Sequence, residues 1–189
     1  MPIIDHFGFI APYYDRVFKP GNLEDLITLA ALPPDGMVLD AGGGTGRMAQ
    51  YLRDKAAHVV VADLSYEMLV QAQAKDGLLT ACSHTEWLPF KDQCFDRIVM
   101  IDALHHVCHQ GETIQELWRL VKPGGRIVIE EPDVRTWGVK WLALGEKVLG
   151  MRSHFLAPPA IAALFDRSAQ TRIERKGAIS WVIVDKPGN

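Results

Sequence analysis

Short apolar runs alternate with longer amphipathic stretches along the chain, a pattern that predicts strands and helices in turn rather than repeats or low-complexity tracts. Leu23, Leu26, Ile27 and Ala30 fall at helical spacing after Asn22 and Asp25, and Pro33-Pro34 closes that helix ahead of a strand at 37–40. The pattern then predicts a helix over 45–55, a strand over 58–62, a helix over 66–75 capped by Ser65, and a short strand over 78–82. A fourth strand follows at 95–101. Ile114, Leu117, Trp118 and Val121 mark a helix over 113–121 that Lys122-Pro123-Gly124-Gly125 stops before a fifth strand at 126–130. Beyond it, helices are expected over 137–149 and 160–166, then extended segments over 172–178 and 181–185 that can pair as an antiparallel hairpin around Ile179-Ser180. Strands alternating with helices imply a parallel sheet covered on both faces.

The first strand ends in Asp40 and runs into a glycine loop, Asp40-Ala41-Gly42-Gly43-Gly44-Thr45-Gly46-Arg47. Gly42, Gly44 and Gly46 let the backbone turn sharply without a Cβ, so that a ligand can lie on the main chain, and amides at the next helix start favour an anionic group. The dinucleotide fingerprint needs its third glycine three residues after the second, where this chain has Arg47. A tight strand-to-helix turn with no ligand is the competing explanation of the glycines taken alone.

Composition narrows the class. A chain of 189 residues, 48% hydrophobic, can bury one full core, and a single domain over 1–189 is expected. A net charge of -3 gives no general attraction to nucleic acid, and the basic stretch Arg167, Arg172, Arg175 and Lys176 is interrupted by acids. Three cysteines, Cys82, Cys94 and Cys108, form no CxxC pair and suit a reducing compartment. With no long apolar run and no signal-like start, a cytoplasmic location without a membrane span is expected.

Taken in order, the Val38-to-Gly46 loop, Asp63 ending the second strand, Trp87-Leu88-Pro89-Phe90, Phe95-Asp96, Leu104-His105-His106-Val107 and Leu120-Val121-Lys122-Pro123-Gly124-Gly125 resemble the class I S-adenosylmethionine-dependent methyltransferases. Within them, the likeness is to the small-molecule type that includes quinone-biosynthesis C-methyltransferases. The resemblance implies an α/β fold: a Rossmann-like, doubly wound, mostly parallel seven-stranded sheet with a terminal antiparallel hairpin. It also implies S-adenosyl-L-methionine as cofactor, S-adenosyl-L-homocysteine as product, and a small-molecule methyl acceptor.

The chemistry of that cofactor assigns expected roles. Backbone amides of the Gly42, Gly44 and Gly46 loop suit the methionine portion, and Asp40 can fix the loop and favour the cationic end. Asp63, 21 positions after Gly42, can accept both ribose hydroxyls, or alternatively cap the next helix. Leu64 and Met68 are expected on one adenine face, with Thr85, Trp87 or Leu88 near the other. Related proteins commonly carry an acid where this chain has His84, a poorer acceptor when neutral. Tyr13-Tyr14-Asp15 resembles an N-terminal lid, with Tyr14 placed over the cofactor or, alternatively, serving as a packing anchor.

Because the sulfonium is already an activated electrophile, holding a nucleophile in line and excluding water are the main tasks, and a general base is optional. Asp102, His105 and His106 are the candidates near the strand ends, with Asp102 also expected on the cofactor side and His105 and His106 as the catalytic pair. Asp102, His105 and His109 would share one face of a continuous helix, a metal-like spacing, but the Leu-His-His-Val run has a family explanation and no metal is expected. Segments 1–20 and 135–157 are expected to form the lid and substrate side. Trp137, Trp141, Leu144 and Val148 make an apolar stripe there suited to a partly apolar acceptor, to permanent packing on the sheet or to a dimer contact. The alternatives are an NAD(P)-dependent oxidoreductase and a noncatalytic cofactor-binding protein of the same fold.

Overall fold

A computed structural model describes residues 21–136, 139 and 153–188. Seven strands form one sheet in the order β3-β2-β1-β4-β5-β7-β6. They are β1 (Met37–Ala41), β2 (His58–Asp63), β3 (Leu78–Cys82), β4 (Phe95–Ile101), β5 (Val121–Pro132), β6 (Gln170–Lys176) and β7 (Ile179–Asp185). Strands β1 to β5 pair in parallel, whereas β7 pairs antiparallel with both β5 and β6. The order runs outward from β1 through β2 to β3, then returns to the other side of β1 at β4. That reversal opens a crevice beyond the carboxyl ends of β1 and β4, where such sheets bind ligands.

Both sheet faces are covered, which is why β1, β2 and β7 are apolar nearly throughout and buried. On one face, α1 (Leu23–Ala30), the single-turn α2 (Ala49–Leu52) and α3 (Tyr66–Gln73) contribute Leu26, Leu29, Ala49, Leu52, Leu69 and Ala72. On the other, α4 (Gln110–Leu120) and α5 (Pro158–Ala162) contribute Ile114, Leu117, Leu120 and Ile161. Each fully buried leucine or isoleucine stabilises the fold by about 1.5–3 kcal/mol. The edge strand β6 is exposed along its whole length and carries Arg172, Glu174, Arg175 and Lys176, charges that deter edge-to-edge pairing.

Several elements differ from their predicted form. The helix expected over 45–55 is a turn followed by α2 and a 3-10 turn at Arg53–Lys55, because Gly46 has φ 69° and cannot sit in a right-handed helix. Ser65 precedes α3, but its hydroxyl makes no capping bond and its N–H donates to Asp63 Oδ1 at 2.8 Å. Helix α4 begins at Gln110, earlier than predicted, and α5 is shorter than 160–166. Strand β5 starts at Val121 and absorbs the Lys-Pro-Gly-Gly kink as a register shift against β4. The β6–β7 turn falls at Gly177-Ala178, two residues earlier than expected, where Gly177 adopts φ 62°. None of the helices among the described residues is long and apolar enough to cross a membrane.

Candidate functional site

Residues 42–46 lie at the crevice beyond β1, anchored by the Gly42 and Gly43 N–H groups, which donate to the Ala62 carbonyl at 2.7 and 3.2 Å. Gly42, Gly44 and Gly46 adopt φ of 70°, 54° and 69°. Their side-chain vectors meet different surroundings. A Cβ on Gly42 would stand 2.7 Å from the Ala103 Cβ, and one on Gly46 would stand 2.8 Å from Leu78 and 3.3 Å from Ala72. Those two glycines are required by protein packing. At Gly44 the nearest atoms are Asp63 Oδ2 at 3.9 Å and Met68 Sδ at 4.0 Å, so this is the position where another group has room to approach the main chain.

Asp40 and Asp63 frame the loop. The Asp40 carboxyl is buried and, among the described residues, neither oxygen has a hydrogen-bond partner. Burial and the nearby Asp63 charge raise its pKa from 3.8 to about 7; Arg47 and the Ala49 amide oppose the shift without closing a hydrogen bond. Asp63 accepts the Gly44 N–H through Oδ2 and the Ser65 N–H through Oδ1, both at 2.8 Å. It thereby ties the glycine loop to the turn after β2, a bracing role that the sequence did not reveal. Each carboxylate oxygen has the capacity to accept a second hydrogen bond.

The residues expected around adenine separate into two groups. Leu64 and Trp87 are exposed, at 52% and 69%, and the half-exposed His84 ring lies 6.3 Å from that of Trp87. Met68 is buried beneath the loop. Thr85 is buried as well, with its hydroxyl 3.1 Å from that of Thr113, so it joins this connection to α4. Asp102 directly follows β4 with φ 50°, donates its N–H to the Glu130 carbonyl at 3.0 Å, and lies 4.0 Å from Arg47. Arg47 thus occupies the missing fingerprint-glycine position as a cation facing the carboxylate at the neighbouring strand end.

Past β4 the chain makes a 3-10 turn at Leu104–His106, then breaks before α4 starts. A shared helix face for Asp102, His105 and His109 therefore does not exist, since Val107 to His109 is not helical. His105 is buried, with Nδ1 2.5 Å from Glu131 Oε2, and its ring stacks on Phe155 at 4.3 Å. His106 Nδ1 lies 3.3 Å from the Ser153 hydroxyl. Burial and the neighbouring His105 push the His106 pKa down to about 3, which keeps its ring neutral and weakly basic at neutral pH. Its Leu-His-His-Val neighbours are thus unequal: only His105 has a carboxylate partner among the described residues.

Glu130 and Glu131 were not singled out from the sequence. Both are buried at the end of β5 and, being consecutive in a strand, point to opposite faces. Glu130 accepts the Trp181 indole N–H at 2.6 Å, and burial raises its pKa to about 7. Two adjacent acids directly after the apolar Ile127-Val128-Ile129 run were the available signal. Tyr13, Tyr14, most of 135–157 and the stripe of Trp137, Trp141, Leu144 and Val148 lie outside the described residues.

Residues 39–129 match the model of the methyltransferase-domain family. Over 110 residues the chain is 34% identical to a ubiquinone/menaquinone biosynthesis C-methyltransferase of Bordetella parapertussis, which covers 54% of this chain and 43% of that protein. A malonyl-[acyl-carrier protein] O-methyltransferase of Erwinia billingiae is 38% identical over 132 residues, covering 67% of this chain and 51% of the relative. The chain thus spans about half the length of these curated relatives. A solved S-adenosylmethionine-dependent methyltransferase from Aquifex aeolicus shares the fold with a TM-score of 0.72 at 17% identity, over 92% of this chain and 97% of that one. With sheet order, glycine loop and family match in agreement, the chain belongs to the class I S-adenosylmethionine-dependent methyltransferases.

Proposed function

We propose that this chain transfers the methyl group of S-adenosylmethionine to a small, partly apolar organic acceptor. The observation that carries this reading is the Asp40 carboxyl, buried without a partner among the described residues behind the left-handed glycine loop. A buried polar group is costly unless something satisfies it, and an ammonium or a bridging water would do so here. The residues fit the cofactor: Gly44 offers an approach to the main chain, Asp63 has acceptor capacity beside it, and Leu64 supplies exposed apolar surface. When bound, the cofactor supplies an activated methyl group on a sulfonium.

In this reading Asp40 and the open main chain at Gly44 face the methionine portion, Asp63 takes the ribose, and Leu64 lies against the adenine over the buried Met68. Thr85 acts only through the bracing of its connection to α4. Asp102 orients Arg47 at the crevice, Tyr14 closes over the cofactor, and His105 with His106 lines the acceptor side. A nicotinamide dinucleotide is not favoured, because Arg47 and its Asp102 pairing occupy the place where the fingerprint requires a glycine. The relatives named for a quinone pathway and for a malonyl carrier protein support a small organic acceptor here. The Trp141 stripe supports an apolar one, and the unpaired cysteines a cytoplasmic setting.

The test is incubation of the protein with methyl-labelled S-adenosylmethionine and a metabolite extract, followed by mass spectrometry. Label on a small organic molecule is expected. In Trp141→Ala, cofactor affinity should persist while turnover of an apolar acceptor falls; unchanged turnover would remove the apolar-lid element.

A further inference from the structure

The two edges of the sheet are built differently. The outer strand β6 carries Arg172, Glu174, Arg175 and Lys176, whereas the outer strand β3 reads Leu78-Leu79-Thr80-Ala81-Cys82, with no charge and no proline. An edge strand presents unpaired N–H and C=O groups, and charged side chains are a common means of keeping other strands off it. Strand β3 lacks that protection. All five of its residues stay in unbroken parallel register with β2, so its outer side is a regular template for a further strand.

Apolar surface gathers at the same edge. Leu78 packs into the core on the α3 face, so Leu79 points to the opposite face, where it is 53% exposed. The connection 83–94, which leads from β3 to β4, contains no helix to cover it. On the α3 face, Tyr66, Val70 and Gln73 fall at helical spacing along one side of the helix. The Gln73 amide donates to the Thr80 hydroxyl at 2.9 Å, which sets that side above β3, and both Tyr66 and Val70 are exposed there.

We propose that β3 is an interface strand that pairs antiparallel with β3 of a second copy of this chain, about a two-fold axis through Thr80. The occupant follows from self-complementarity, which a two-fold contact requires. With Thr80 on the axis, Leu79 faces Ala81 of the second copy and Leu78 faces its Cys82, so every pair along the strand is uncharged. Just beyond the strand ends, the exposed Asp76 falls opposite the exposed His84 of the second copy, a carboxylate acceptor against an imidazole N–H. The axis makes that pair twice. An axis normal to the sheet also keeps both α3 helices on one face, so the Tyr66 and Val70 side of each looks across the seam at the other copy.

Sedimentation velocity of the full chain, from micromolar to near-millimolar protein, reads the assembly, and a mass rising towards twice that of the chain is expected. Leu79→Lys gives β3 the protection that β6 has. Because Leu79 is already half exposed, the variant should keep its melting temperature while its dimer dissociation constant rises about tenfold or more. Tyr66→Glu, on the opposite face of the same edge, should weaken the dimer as well, whereas Ile173→Lys makes the lysine change on β6 and should leave it intact. A chain that stays monomeric throughout the series, or a dimer as tight in Leu79→Lys and Tyr66→Glu as in the parent, overturns the proposal. The register is read separately by Thr80→Cys in a Cys82→Ser, Cys108→Ser background, which removes the exposed thiols. Oxidation should then join two copies through the introduced thiols, since residues directly opposed across antiparallel strands are near enough to bridge. Dimers that give no such cross-link overturn the axis through Thr80.

Discussion

Asp40 is where burial, charge and ligand chemistry meet. Its folded-state pKa lies near 7, well above the 3.8 of an exposed aspartate, so between these values the native chain holds a proton that the unfolded chain has lost. The sign follows directly: this group makes the ligand-free protein less stable as pH rises from about 4 to about 7, by a few kcal/mol at most. Glu130, raised from 4.5 to about 7, acts in the same direction. Chemical denaturation of Asp40→Asn should therefore show a flatter pH profile and higher stability than the parent at about pH 8. Binding has the opposite slope. An ammonium beside Asp40 favours the carboxylate, so S-adenosylhomocysteine should bind more tightly at about pH 8 than at about pH 6, with proton release seen by calorimetry in two buffers. Asp40→Asn should bind weakly at both. Asp63→Ala should lose about 1.5–3 kcal/mol of cofactor affinity per charge-assisted hydrogen bond removed, and it should also loosen the Gly44 and Ser65 amides that Asp63 braces. Equal affinity in a folded variant would contradict the role given to Asp63.

Among the elements, the loop after β1 divides its glycines by task. Gly42→Ala and Gly46→Ala combine a left-handed backbone with a close overlap, and each should destabilise the protein by about 2–5 kcal/mol. Gly44→Ala carries the backbone strain without the overlap, about 1–2 kcal/mol, yet should impair cofactor binding most per unit of stability lost. Thermal melts beside calorimetry separate the two effects, and equal melting losses at all three positions would refute the division. The turn after β4 supports a different expectation. Since Val107 to His109 interrupts the helix that would align Asp102, His105 and His109, methyl transfer should survive chelator treatment. Activity restored only by added metal would reverse that view.

At the scale of the whole molecule, what was legible in the sequence was local. Apolar runs such as His58-Val59-Val60-Val61-Ala62 mark strands whatever surrounds them, and the Asp-x-Gly-x-Gly-x-Gly spacing identifies the loop before any contact is known. Helix starts were less legible: Gly46 enforces a left-handed turn that delays α2, and Asp63 takes the Ser65 amide that a capping description overlooks. The contacts that complete the candidate site are non-local. Thr85, in the connection before β4, meets Thr113 of α4 across 28 positions, and His105 meets Glu131 across 26, a pairing that needs β4 and β5 side by side. The sheet order supplies the second by placing the ends of β1, β4 and β5 together at the reversal point. The central claim, that this crevice is built for S-adenosylmethionine, is tested most directly by calorimetric titration of the ligand-free protein with S-adenosylhomocysteine and, separately, with NADH. The account predicts saturable one-to-one binding of S-adenosylhomocysteine, weakened in Asp63→Ala, and much weaker binding of NADH; a folded protein that ignores S-adenosylhomocysteine, or binds NADH as tightly, would contradict it.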